Sequence, residues 1–495
     1  MTVVQMPGGG APPSAGTRRS GERVRRWAVV AGAVAVVGVV GGLWFGQHPA
    51  VPGGRATPVV ADGVVRAARG LGALWFCPGG TSLSGGAAPT VVVSNPTGPA
   101  VSGQVTATSS TGRTRTVPLS VPAGGQVTVS LASLVPGPWV TGTVALNRGG
   151  VAVSETVVGS AGWSTGPCVA STASRWVLPA GSTTGGDQLE VVIADPTATT
   201  AVVDTTLLSA AGTRLAPSSD QGVTVPAHGL VVESVDAVDV GDRSVAAVVQ
   251  ALSGTVVAAG VEVARNDGAS GVALLPGVPA AATDWTVPVV PAAPAGATTL
   301  EVVNPGRRTA ELTVQGVSAT GSRRSAILRV GPGRQARLPA AVVSEASVGG
   351  AGAVEVRSRG GVGVVVARVT SGPSSAPAPQ LGETLAVPGD GWRTWLVPAV
   401  VAPGSSPVGL GLVDLGRAPA EVQILGVAPG QVGVSVLGTL TLQPGVPLER
   451  LGAVPDDLGL IPTEIRSTQP VVPEIDPGGT GVVGVTALPS LPLIP

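Results

Sequence analysis

The chain has 495 residues, 29 basic against 29 acidic side chains and a formal net charge of zero. Val, Ala and Gly dominate, Tyr is absent and Phe occurs twice; long Ala/Leu/Glu stretches at helical spacing are missing, which excludes a mainly helical protein. Gly and Pro total 120 residues without a collagen period, and they punctuate alternating Val runs as turns do in an all-β protein.

Residues 1–26 are polar and end in Arg18, Arg19, Arg23, Arg25 and Arg26. They predict a basic cytoplasmic tail. Residues 27–45 carry no charge, with Trp27 and Trp44 near the two ends. As a helix this segment spans about 28 Å, close to the hydrocarbon thickness of a bilayer. The arginines on its N-terminal side predict a retained single-pass anchor with the C-terminal bulk outside the cytoplasm. The rival reading is a cleaved signal peptide at Val59-Val60-Ala61, but that site lies too far beyond the apolar run. A Gly/Pro linker covers 46–74.

Four Trp residues then open four copies of one pattern: Trp75-Phe-Cys-Pro, Trp176-Val-Leu-Pro, Trp285-Thr-Val-Pro and Trp395-Leu-Val-Pro. In each copy an apolar strand follows. It ends at Asn95-Pro96, Asp195-Pro196 and Asn304-Pro305, and in the fourth copy at Asp414 without the Pro. The starts lie 101, 109 and 110 residues apart. This period is too long for a solenoid and suits a unit that buries its own core. The fold class predicted is all-β: four tandem immunoglobulin-like β-sandwich units at 75–175, 176–284, 285–394 and 395–495, following one N-terminal transmembrane helix. About seven strands are expected per unit, the last two joined as a closing hairpin by Arg-Gly-Gly turns such as Arg148-Gly149-Gly150. Trp75, Trp176, Trp285 and Trp395 read as repeat core plugs, with ligand stacking as the lesser alternative.

Cys77 and Cys168 bracket the first copy and are the only cysteines. Outside the cytoplasm they are expected to pair. Net charge alternates along the copies, +3, −9, +5 and −5, counting Arg against Asp and Glu, so neighbouring units are expected to attract. The third copy carries paired arginines: Arg307/Arg308, Arg323/Arg324 and Arg357/Arg359. Guanidinium forks suit phosphate or carboxylate polymers, which makes these six the candidate anion-binding residues. The plainer alternative is a solvated sheet face.

Signals for chemistry are sparse. His228 is the only histidine in the repeats, at a turn where the other copies carry Gly124, Arg334 and Val446, and it reads as a surface turn residue. No G-x-S-x-G, HExxH, CxxC or phosphate-binding Gly loop occurs, so no catalytic residue, cofactor or metal is assigned. Asp236, Asp239 and Asp242 form an acidic run that matches no EF-hand loop; calcium binding stays open there. Paired carboxylates for glycan hydrolysis are spatial and leave no sequence trace, and the aromatics outside the repeat motif are Trp139, Trp163 and Trp392.

The apolar anchor, the Trp75-Phe-Cys77-Pro opening, the two cysteines and the repeated strand–Asn-Pro turns resemble an actinobacterial family known as a domain of unknown function. The resemblance implies a single-pass, secreted-side protein in a cell-envelope context and names no site residue. The expected function is a membrane-anchored envelope protein with a structural, scaffold or polymer-binding role and no catalysis. The expected partners are the membrane and, beyond it, anionic cell-wall polymers or an envelope membrane protein; nucleic acid is not among them. The alternative is an accessory or regulatory subunit of an envelope glycosyltransferase or transporter, served by the Gly-rich face Gly32, Gly38, Gly41 and Gly42. A glycan-acting hydrolase ranks last.

Overall fold

The computed structural model describes residues 73–490, apart from 82–85, 97, 216–220, 240, 267–268, 290–296, 349–351, 372–380, 399–408, 429–430, 432, 447–460, 477–484 and 487. The expected basic tail, anchor and nearly all of the linker lie outside the described residues. Among the described residues no helix is long and apolar enough to cross a membrane.

The described residues are all-β, with two short helices among them at Leu131–Leu134 and Ala340–Ala346. Among its described residues the first unit has eight strands rather than about seven. They are β1 (Ala73–Thr81), β2 (Ala88–Ser94), β3 (Val101–Ser109), β4 (Thr114–Val121), β5 (Gln126–Ser130), β6 (Trp139–Leu146), β7 (Ala152–Gly159) and β8 (Gly162–Pro167). They form two antiparallel sheets, β1-β6-β3-β4 and β5-β2-β7-β8. Val91 and Val93 of one sheet meet Val105, Ala107 and Val144 of the other in a core around Trp75.

The same order recurs. The Trp strands Arg175–Leu178, Asp284–Val289 and Trp392–Val397 pair with Ala246–Ser253, Gly352–Arg359 and Thr463–Asp476. The strands ending in Asp195, Asn304 or just before Asp414 pair with Val257–Asn266, Val365–Ser371 and the second half of Thr463–Asp476. In the fourth unit one 14-residue strand thus serves both sheets.

The expected closing hairpin is not formed. β6 is held on its two edges by β1 and β3, and β7 by β2 and β8. Arg148-Gly149-Gly150 therefore arches from one sheet to the other. The turn at Arg359-Gly360-Gly361 does the same between Gly352–Arg359 and Val365–Ser371, which also lie in different sheets. A glycine-rich turn relieves the backbone in either geometry, so its composition cannot separate a hairpin from an arch.

The four units share their buried surface. In Gln188–Asp195, Val191 and Ile193 face the unit's own core. Val192 and Ala194, on the opposite face, join Ala87 and Val157 of the first unit. Burial on two faces explains why these strands read as unbroken apolar runs. Between the second and third units Ala180, Leu275 and Ala367 form one dry cluster, and Val177, Leu208, Ala246 and Val248 join the third unit's core. Val317, Ala353 and Val387 of the third unit pack into the core around Trp395. The fourth unit returns to the first: Leu396 enters the cluster of Trp75, and Trp163 packs on the cluster of Trp395. Contacts thus run first to second, second to third, third to fourth and fourth to first. Trp139, Trp163 and Trp392 all pack against these clusters. Polar contacts cross the seams as well: Arg334 Nη1 donates to Ala210 O at 2.7 Å and Arg337 Nη2 to Arg243 O at 3.1 Å at the second seam, and Arg368 and Glu474 form a buried ion pair at the third.

Candidate functional site

The repeated residues are structural. Trp75, Trp176, Trp285 and Trp395 are the four largest fully buried side chains. Three of the indoles donate Nε1–H to an arch carbonyl: Trp176 to Val256 O at 2.7 Å, Trp285 to Val364 O at 2.8 Å and Trp395 to Val471 O at 2.8 Å. Trp75 Nε1 is buried without a partner. The Cys77–Cys168 disulfide is present, and β1 pairs beside it with Val169.

The strand-ending Asn is also buried. Asn95 Nδ2 donates to Pro99 O and Pro122 O, and its Oδ1 accepts from Gly98 N. Asn304 repeats this with Arg308 O, Val330 O and Gly306 N. Each amide ties two loops together. Asp195 and Asp414 keep the accepting half, from Thr197 N and Gly416 N, but their Oδ2 atoms are buried without a partner. Burial raises the Asp414 carboxyl above its ordinary range.

His228 does not align with Arg334 and Val446. Its φ is +52°, and the matching residues are Gly124, Gly333 and Gly445, at +65°, +60° and +67°. The turn requires a left-handed residue in every unit, and His228 is the one non-Gly residue among the described residues that adopts it.

Of the acidic run, Asp236 accepts from Leu189 N at 3.1 Å and Ser234 Oγ at 3.0 Å. Asp242 closes a loop with Thr183 through its backbone. Among the described residues no group of three or more His, Cys, Asp or Glu could hold a metal ion.

The candidate arginines of the third unit separate into three sets. Arg357 faces Glu355 at 3.2 Å, with Asp390 and Asp284 at 3.8 and 4.0 Å, and Arg359 faces Glu311 at 3.4 Å. Both are committed to pairs on an exposed sheet face. Arg323 donates to Gln315 Oε1 at 3.1 Å, and Arg324 is exposed beside it. Arg307 and Arg308 sit on the turn after Asn304 and are exposed.

Arg307 lines a groove of about 520 Å³ between the second and third units. The floor is the outer face of the second unit's sheet, with Leu208 and Val248 at its base and Thr206 and Gln250 beside them. The wall is two third-unit turns, bearing Pro305 and Pro332. Arg175 enters from the Trp176 strand and donates Nη2–H to Pro305 O at 2.8 Å. Burial lowers its pKa, and its Nε has neither solvent nor a partner. No carboxylate lines the groove. Arg175 was missed by sequence reasoning because it stands alone, one residue before a core Trp.

Behind the groove the same seam holds a cluster of buried acids. Glu262 accepts from Ser182 N at 2.8 Å, and Glu301 accepts from Ser244 Oγ at 2.6 Å and lies 3.4 Å from Arg337. Gln335 bonds Glu301 and Pro179 O. Glu383 lies beside Glu262 and is pushed up to about 8, by burial first and then by the charge of Glu301. Burial, followed by the charge of Glu383, holds Glu262 well above the usual carboxylate range. In the first unit Glu155 accepts from Gly79 N at 2.9 Å, where β1 bulges, and burial pushes it up to about 8. None of these four acids lines the groove beside Arg307.

Residues 140–377 match a family of unknown function (DUF5719). The match runs from the first unit's sixth strand to beyond Val365–Ser371 in the third, and so covers both sides of the groove. No curated protein matches the chain. Among solved structures, the crystal structure of a tetra-tandem repeat in the extending region of a large adhesion protein is similar at 13% identity, covering 85% of this chain and 97% of that one. Its TM-score is 0.11, too low to carry an argument.

Proposed function

We propose that this chain is a single-pass, extracytoplasmic scaffold of the actinobacterial cell envelope, built from immunoglobulin-like sandwiches and binding anionic polymer without catalysis. The observation that carries the reading is how the repeated residues are used. The Trp, Asn and Asp of each unit are consumed in cores and loop ties, and apolar seams consume the outer sheet faces. What the molecule leaves open is arginine on the third unit and in the groove beside it. The Cys77–Cys168 bond fits an oxidising compartment, and residues 27–45 supply the anchor in this reading.

Two measurements test it. A C-terminal reporter enzyme active only outside the cytoplasm is expected to be active; an inactive reporter, with Cys77 and Cys168 open to alkylation, removes the location. The full chain is expected to retain acidic envelope polymer in a salt-sensitive way. Equal retention when Arg307, Arg308, Arg323 and Arg324 are all changed to Gln removes the anionic version.

A further inference from the structure

We propose that the groove between the second and third units is a binding site for a single anionic group, carboxylate or phosphate, of a polymer chain. It deepens the polymer-binding reading above and rests on it only for the nature of the polymer.

Four observations converge. Two guanidinium groups from different units, Arg175 and Arg307, line one groove in which no acid takes part. Arg175 is half-buried and spends Nη2 on the Pro305 carbonyl, which fixes its guanidinium at the groove wall. Arg307 makes no hydrogen bond or ion pair among the described residues, so its fork is available. The nearest acid along the floor strand, Asp204, shares the face of Thr206 but is not among the lining residues and is engaged by Gly222 N at 2.7 Å.

The rest of the lining sets the ligand class. Thr206 and Gln250 Oε1 offer hydrogen bonding; the Gln250 amide already donates to Ser174 O and Ala251 O. Leu208, Val248, Pro305 and Pro332 offer apolar contact, and no aromatic ring is present. Recognition by ring stacking is therefore excluded, and charge with guanidinium geometry does the selecting. The site exists only because two units meet: neither Arg175 nor Arg307 alone makes an enclosed fork.

The test is calorimetric titration of the full chain in detergent with oligogalacturonate, with polyglycerol phosphate and with neutral dextran. Saturable binding of at least one anionic probe and none of dextran is expected. Arg307→Gln, which disturbs no contact, is expected to weaken it about tenfold, the loss of one charge-assisted hydrogen bond. Arg175→Gln with Arg307→Gln is expected to abolish it, with an unchanged melting profile of the single variant as the control for folding. Binding of only the uronate or only the phosphate polymer supports the site and names the source of the anion. Anionic binding left intact by Arg307→Gln overturns the groove while the polymer reading stands. Binding of galacturonate monomer or inorganic phosphate, lost in Arg307→Gln, without binding of either polymer supports the groove and overturns the polymer reading. Absence of binding by every anion overturns both.

Discussion

Glu262 of the second unit and Glu383 of the third are neighbours inside their seam, each almost wholly buried, and the charge of Glu383 adds to the effect of burial on Glu262. Burial and a like-charged neighbour both disfavour the ionised carboxylate, so the protonated form is favoured in this seam.

That proton sets a pH dependence. Glu155 and Glu383 titrate at about 8 in the folded chain against 4.5 for the ordinary group. Between those values the folded state holds protons that the unfolded state has released, so stability falls as pH rises. The contribution is complete below about pH 4.5 and lost above about pH 8. Melting temperature followed across this window is expected to decline, and Glu383→Gln or Glu155→Gln to flatten the decline and raise the value at the alkaline end. A flat wild-type profile would show that these acids are not buried in solution.

The Asx turns predict opposite effects for one-atom changes. Asp414→Asn and Asp195→Asn supply the donor that Asn95 and Asn304 already use, and each is expected to stabilise by about 1 kcal/mol. Asn304→Asp removes that donor from Val330 O and Arg308 O and is expected to destabilise by about 1–3 kcal/mol. Chemical denaturation of the three variants checks the signs.

The indoles differ in the same way. Trp176→Phe deprives Val256 O of its donor, whereas Trp75→Phe deletes a buried N–H that has no partner. Trp75→Phe is expected to cost less, by about 1 kcal/mol. Equal costs would mean that Trp75 does find a partner in solution.

Gly124 tests the seam between the fourth and first units. Its φ is +65°, and a Cβ there would lie 2.0 Å from Val427 Cγ2. Gly150 has a similar φ of +81° with nothing within 4 Å of a Cβ. Gly150→Ala carries the backbone cost alone, about 1–2 kcal/mol. Gly124→Ala adds overpacking of about 1–3 kcal/mol and is expected to make the fourth unit more open to protease than Gly150→Ala does.

Much of the architecture was legible because it repeats with a chemical reason. Trp75, Trp176, Trp285 and Trp395 are the large side chains in a Val/Ala interior, and cores need volume. The Asn-Pro turns read as strand ends, though not as loop ties, since Pro122 and Val330 lie 27 and 26 residues away from the amides they accept from. His228 was misaligned by one residue because backbone handedness is invisible in Pro-Ala-His-Gly. The paired arginines were visible as pairs; that Arg357 meets Asp284 and Arg359 meets Glu311 depended on cross-strand register.

The sequence by itself determined the strands, the period, the core tryptophans and a charge-balanced chain free of familiar catalytic motifs, because each follows from local periodicity or composition. The tertiary structure alone decided that the Arg-Gly-Gly turns arch between sheets, that the fourth unit closes on the first, and that Arg175 stands beside Arg307. Those are relations between residues tens to hundreds of positions apart, set by which apolar faces find each other, and no local pattern encodes them.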